Sequence, residues 1–382
     1  TLLAAEHGRP LRLDTIRMIC EYYGKTAAEL GLVCQQRGKR KTAPKEDEMQ
    51  RREALTLLAG GSGLALLAGM GSLSLTREEA LSIAQTLVGA LWRTSWSEDV
   101  ETVAQATGWV LGVLEKAPGL LKESKEGAQL AAEGHLIAAI AARHLVQPEE
   151  RLRHLQQAEQ YARLANDVLL QRALPYYQGY SYVWNLAPGM GGYEPQPAKA
   201  LLCFQRGLTV KGEPASQTQD VGLFMGLAET YSLLREPKQA VKALMQAEKS
   251  YARVSPGEDP GYALADVNPP YRVPLARARV LLNLGRANEA LSALEESQRL
   301  YQVHGQGGRG LADLQPKRMA VALALGDQDL FVEALQASVE GVQRSGSRYG
   351  RAEVKQLLRQ GQARWPQVKQ LEEWATQIGV SA

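Results

Sequence analysis

The stretch "VGLFMGLAETYSLLREPKQAVKALMQAEKSY", residues 221–251, constrains the fold more than any other part of this chain. Counting Val221 as position 1, alanines fall at positions 8, 20 and 27 (Ala228, Ala240, Ala247), and larger residues at 11 and 24 (Tyr231, Leu244). Two helices can approach closely only where small residues face each other, and larger ones then fill the space beside the crossing. Short Gly, Pro or Asp breaks separate the helices along this part of the chain. The stretch therefore predicts a helical hairpin with one apolar side.

The spacing returns. "YRVPLARARVLLNLGRANEALSALEESQ" (271–298) places Ala278, Leu281, Ala290 and Leu294 at positions 8, 11, 20 and 24, with Gly285 at the turn. "QPKRMAVALALGDQDLFVEALQASVEG" follows, with Gly326 at its turn; there Phe331 takes the small position 20 and the register departs. Earlier, "PAKALLCFQRGL" reads as a second helix, with Ala200, Phe204 and Gly207 at 20, 24 and 27. These are the packing positions of a tetratricopeptide repeat. The position-20 residues fall at 200, 240, 290 and 331, wider than the usual ~34 residues. The excess goes into loops such as "VSPGEDPGYALADVNPPY" (254–271). Less regular pairs lie at about 76–116, 124–167 and 348–380. The expected fold is all-α: six or seven hairpins in a right-handed tetratricopeptide-like solenoid, residues 75–382, with the last pair as a polar cap. Three Phe among 382 residues and no sustained period-2 alternation agree with helix-on-helix packing.

Charge is unevenly placed. Residues 1–52 hold eleven Lys/Arg and seven Asp/Glu, a net of +4, which leaves −1 for the other 330. A basic N-terminal piece on a neutral body points to an acidic partner there, such as nucleic acid. Within "LRLDTIRMICEYYGKTAAELGLV", Asp14 can cap a helix running to Tyr23, and Thr26 with Glu29 forms a capping box for a second. Residues 35–48 read as a charged linker, and their "RGKRK" run (Arg37, Lys39, Arg40, Lys41) can contact DNA phosphates or simply be solvated. Cys20, Cys34 and Cys203 are too few and scattered for a disulfide framework, which fits a reducing cytoplasm; Cys20 and Cys203 read as buried small hydrophobes.

"MQRREALTLLAGGSGLALLAGMG" (49–71) carries a twin arginine before a Gly-rich apolar run, as export signals do, but 48 residues precede it. The run is at the lower limit of a membrane span and carries Gly60, Gly61 and Gly63 at its centre. Stable membrane insertion is not expected. The segment reads as a linker helix docking on the first repeat, a contact to a second chain, or a membrane-docking segment; together 35–74 form the linker region.

No catalytic constellation is present. "GQGGRG" (305–310) matches the dinucleotide pattern only in letters, since no strand precedes it. No G-x-x-x-x-G-K-[ST] occurs. His135, His144 and His154 are nine and ten apart, without the close pairing of a metal site, and read as solvated or capping. Neither a metal nor a cofactor is expected. Two groups of residues are candidates for ligand binding. In "PYYQGYSYVWN", Tyr177, Tyr180 and Trp184 share a helical face, either filling a hairpin interface or lining a cleft. In the two well-registered repeats, the positions that look into the concave groove hold Met225, Glu229, Arg272, Arg279 and Asn283. Arg can take a carboxylate in bidentate fashion, and Asn can hold a peptide backbone by donor and acceptor.

Taken together, "LDTIRMICEYYGKTAAELGL", the linker with "RRE-x-L-x-L-L", and the long repeats resemble a bacterial family: XRE-type helix-turn-helix regulators fused to tetratricopeptide repeats, including peptide-sensing quorum regulators. The resemblance runs from Leu13 through nearly the whole chain. It implies a cytoplasmic, homodimeric, non-enzymatic transcription regulator that binds a short signalling peptide in its groove. Residues 1–34 resemble only the last helices of the DNA-binding domain, so DNA binding is implied for an intact parent protein. The alternative is a repeat scaffold for protein interaction without a DNA role.

Overall fold

The chain divides into two compact units, Thr1–Gln50 and Arg51–Ala382. The computed structural model describes residues 76–94, 100–117, 119–183, 195–212, 216–254, 270–304 and 309–379, all in the second unit. The expectations for residues 1–34 and 35–74, the export-like run included, lie outside the described residues.

Among the described residues the fold is all-α and solenoid-like, built from paired helices. They are α1 (Arg77–Thr94), α2 (Val100–Lys116), a single turn α3 (Leu120–Glu123), α4 (Lys125–His144), α5 (Pro148–Ala165), α6 (Val168–Val183), α7 (Pro197–Thr209), α8 (Gln217–Leu233), α9 (Pro237–Tyr251), α10 (Arg272–Asn283), α11 (Ala287–His304), α12 (Arg309–Leu325), α13 (Gln328–Ser345), α14 (Arg348–Arg364) and α15 (Lys369–Ile378). Apart from α3 they pair as hairpins: α1/α2, α4/α5, α6/α7, α8/α9, α10/α11, α12/α13 and α14/α15.

Local signals place the helix ends. Ser124, Ser216, Asp327 and Ser347 accept backbone N–H groups of their own first turns, each at 2.9–3.2 Å. Such a cap contributes about 1 kcal/mol. Proline opens α5, α7 and α9, where its missing N–H costs nothing. Gly285 and Gly326 reverse the chain between helices with φ of +77° and +75°. Arg235 holds the same place in its own repeat at +60°, a conformation that most side chains avoid.

The small-residue ladder packs as its spacing demands. Ala228, Ala240, Ala247, Ala278 and Ala290 are buried at the crossings, with Leu244, Leu281 and Leu294 beside them. Phe331, which broke the register, is fully buried as well. The space it takes is given up by its neighbour: a Cβ built on Gly361 of α14 would lie 2.5 Å from the Phe331 ring. Phe204 of α7 is seated the same way, between Gly179 of α6 and Gly226 of α8. Cys203 beside it is only half-buried, not the core residue its apolar context suggested, because α7 turns Phe204 inward and Cys203 to the flank.

Candidate functional site

The first helices of successive hairpins lie side by side: α4 on α6, α6 on α8, α8 on α10, α10 on α12 and α12 on α14. The row then closes, since α14 also packs on α4. Along it runs a chain of polar contacts, nearly every one joining two neighbouring first helices.

Tyr180 of α6 donates its hydroxyl to Glu229 of α8 at 3.2 Å. Glu229 pairs with Arg279 of α10 at 3.1 Å, with side chains only 2% and 15% exposed. Two turns earlier on α10, Arg272 pairs with Asp313 of α12 at 3.0 Å and lies over the Tyr271 ring. Lys317 of α12 pairs with Glu353 of α14. Arg143 of α4 lies over the Tyr349 ring of α14 at 4.7 Å, and His144 meets the Ser347 hydroxyl at 3.0 Å. Burial alone would push the Asp313 carboxyl up, but Arg272, together with Arg143, Lys317 and Arg279, holds it below its ordinary value. Arg272 bonds this carboxylate directly, and three further cations on α4, α10 and α12 favour its charged form through space.

Of the residues singled out from sequence, Tyr180, Glu229 and Arg279 form one bonded trio, and Arg272 belongs to the same row. Asn283 faces it too, but its amide already donates to Ser232 Oγ at 2.9 Å, tying α10 to α8. Tyr177 and Met225 are buried in packing. The Tyr177 ring sits edge-on to Tyr176, and its carbonyl accepts from Arg151 of α5. Trp184, Arg37, Lys39, Arg40 and Lys41 lie outside the described residues.

Arg143, Asp313, Lys317, Tyr349 and Glu353 were not expected here. The groove positions could be counted only in the two repeats with clean register. Asp313 precedes the third repeat as read, and Arg143 comes from a hairpin without a legible repeat.

The histidines need a correction. His135 and His154 are not solvated: α4 and α5 run antiparallel, and the hairpin brings their Nδ1 atoms to 2.9 Å, with His135 stacked on Tyr161. Burial, aided by His154 and Arg153, pulls the His135 pKa down to about 3. His144 is buried on Ser347. On the other side of α4, Glu133 is buried and accepts from the Trp92 indole at 2.8 Å and from Gln129. Burial pushes its carboxyl up to about 7. Among the described residues no group of three His, Cys, Asp or Glu side chains is placed to hold a metal ion, and no helix is long and apolar enough to cross a membrane.

No family model matches the chain, and no curated protein matches it. Among solved structures it is similar to the crystal structure of a Rap protein complexed with Competence and Sporulation Factor. The two share 10% identity at a TM-score of 0.45, over 86% of this chain and 97% of that one. At that level the likeness carries no argument about ligand or function.

Proposed function

We propose that this chain is the sensor and dimerisation portion of a ligand-responsive transcription regulator, and that its row of first helices binds a short peptide. It acts in the cytoplasm by binding, without a catalytic step. DNA is contacted through an intact N-terminal domain of the parent protein.

The observation that carries this reading is the Tyr180–Glu229–Arg279 trio with its neighbours Arg272 and Asp313. Buried ion pairs seldom repay their desolvation, and apolar residues of the same volume usually hold helices together as well or better. A row that carries such pairs from helix to helix is therefore costly packing, but it is suited to a partner with both charged and amide groups. A peptide supplies carboxylates for Arg272 and Arg279 and amines or amides for Glu229 and Asp313. A ligand that prefers one curvature of the stack shifts the population toward it, and so changes the spacing of two attached DNA-binding domains.

The test is native mass spectrometry of the purified chain before and after exposure to a peptide extract of the producing cell. The expected result is a dimer that retains a small peptide mass, with retention lost in Arg272→Met/Arg279→Met. A monomer that retains no peptide would leave the interaction scaffold as the reading.

A further inference from the structure

The row of first helices closes through a contact unlike the others. Residues 143–144 of α4 meet residues 347–349 of α14, some 200 positions away in the chain. Contacts at the junction include His144 Nδ1 with Ser347 Oγ at 3.0 Å, the Arg143 guanidinium over the Tyr349 ring at 4.7 Å, and Arg348 with Glu101 of α2 at 2.8 Å. All three are polar or cation–π. The last lies in solvent, with both side chains more than half exposed.

The apolar packing does not cross this junction. Among the described residues, one buried cluster runs from Ala80 to Val280, a second from Leu275 to Val321, and a third from Met319 to Ala375. None joins α4 to α14 directly. The third cluster packs α12 to α15 on themselves, and Val321 of α12 ties them to α10 and α11 through the second, so these two hairpins can hinge on that side while no buried apolar cluster holds them to α4. The contacts named above between these hairpins and α2 and α4 are polar or cation–π. The exposed Arg348–Glu101 pair contributes little net stability and gives way to salt, and the buried His144–Ser347 contact is a single hydrogen bond that water can replace once the junction parts.

We infer that α4 and α14 form a reversible polar clasp, which sets whether the row of first helices is closed or open. Ser347 is its pivot. The same hydroxyl caps α14, accepting from the Gly350 N–H at 3.0 Å, and follows Gly346, whose φ is +63°. The first turn of α14 therefore keeps its own cap when the His144 contact breaks. That the clasp controls entry to the polar row rests on the function proposed above; that it opens does not.

The experiment uses the full chain without added ligand. Small-angle scattering and hydrogen–deuterium exchange are recorded in low and high sodium chloride, for the wild type and for Arg348→Gln/Tyr349→Leu. Both changes sit at the start of an otherwise intact helix, and helical circular dichroism checks the fold. The expected result is a larger radius of gyration and exchange at residues 143–147 faster by on the order of tenfold in the variant, with high salt moving the wild type the same way. Exchange within α8 and α9 stays unchanged. Equal scattering and equal exchange at 143–147 in wild type and variant, at both salt concentrations, would overturn the clasp. A failure to retain peptide in the mass-spectrometry test leaves this outcome untouched.

Discussion

The carboxylate of Glu229 and the guanidinium of Arg279 lie 3.1 Å apart, on helices that belong to different repeats. Removing one partner strands the other. Arg279→Met leaves the Glu229 carboxylate almost fully buried beside the Tyr180 hydroxyl, at a cost of about 3–5 kcal/mol. Glu229→Leu should cost a similar amount. The double variant Glu229→Leu/Arg279→Met should recover most of the loss, because neither charge remains to be desolvated. Urea denaturation of the four proteins measures the coupling. Simple additivity of the two single losses would show that the pair is not a unit.

A test of selectivity follows from the same geometry. Lys at position 279 keeps the charge but loses the planar fork that can hold Glu229 and a ligand carboxylate together. Arg279→Lys should therefore cost little stability, roughly 1 kcal/mol, yet weaken peptide retention about tenfold or more. Titration calorimetry with the peptide captured by the wild type reads this directly. Equal affinity would place the ligand away from Arg279.

The hairpins were legible because their rule is local. Ala228, Ala240 and Ala247 state in one continuous stretch where two helices touch, and Gly285 and Gly326 mark the reversals. What failed to show was pairing across distance. Phe331 looked misplaced because the glycine that admits it is thirty residues later. Arg235 sits where the next two repeats use glycine, and nothing in its type announces φ of +60°. His135 and His154 could be paired only once the antiparallel course of α4 and α5 was known. In the candidate site, Glu229, Arg272 and Arg279 were readable from repeat position. Arg143 and Asp313 were not, since the one comes from a hairpin without a legible repeat and the other precedes the third repeat.

Glycines divide into two kinds, and opposite outcomes are expected. A methyl group at Gly226 would lie 2.3 Å from the Phe204 ring, and one at Gly361 would lie 2.5 Å from Phe331. Both rings are fully buried, so neither can step aside. Gly226→Ala and Gly361→Ala should each destabilise by roughly 1–3 kcal/mol. Gly108, exposed in the middle of α2, has nothing within 4 Å of the same position. Gly108→Ala should stabilise by about 1 kcal/mol, through helix propensity alone. Thermal unfolding of the three variants decides it, and a stable Gly226→Ala would mean that α8 does not approach Phe204 this closely.

Two opposed titrations on α4 shape the acid response. The Glu133 carboxyl titrates near 7 in the fold, against about 4.5 when unfolded. A raised carboxyl pKa favours the folded state at low pH, and that contribution is lost as pH rises from about 4.5 through 7. His135 is depressed to about 3, and His154 is also lowered, against 6.5 when unfolded. Their neutral pairing stabilises the fold above 6.5, and that contribution is lost as pH falls toward 3. Between 4.5 and 6.5 the two effects oppose each other, so the wild type should show a shallow profile there. Glu133→Gln keeps an acceptor for the Trp92 indole and removes the carboxylate. It should raise stability at pH 8 by about 2–3 kcal/mol and steepen the loss below pH 6.5. His135→Gln should do the reverse at the acid end, flattening the decline. Urea melts at half-unit steps from pH 4.5 to 8, followed by tryptophan fluorescence, check both. Parallel profiles for wild type and Glu133→Gln would mean that Glu133 ionises freely in the fold.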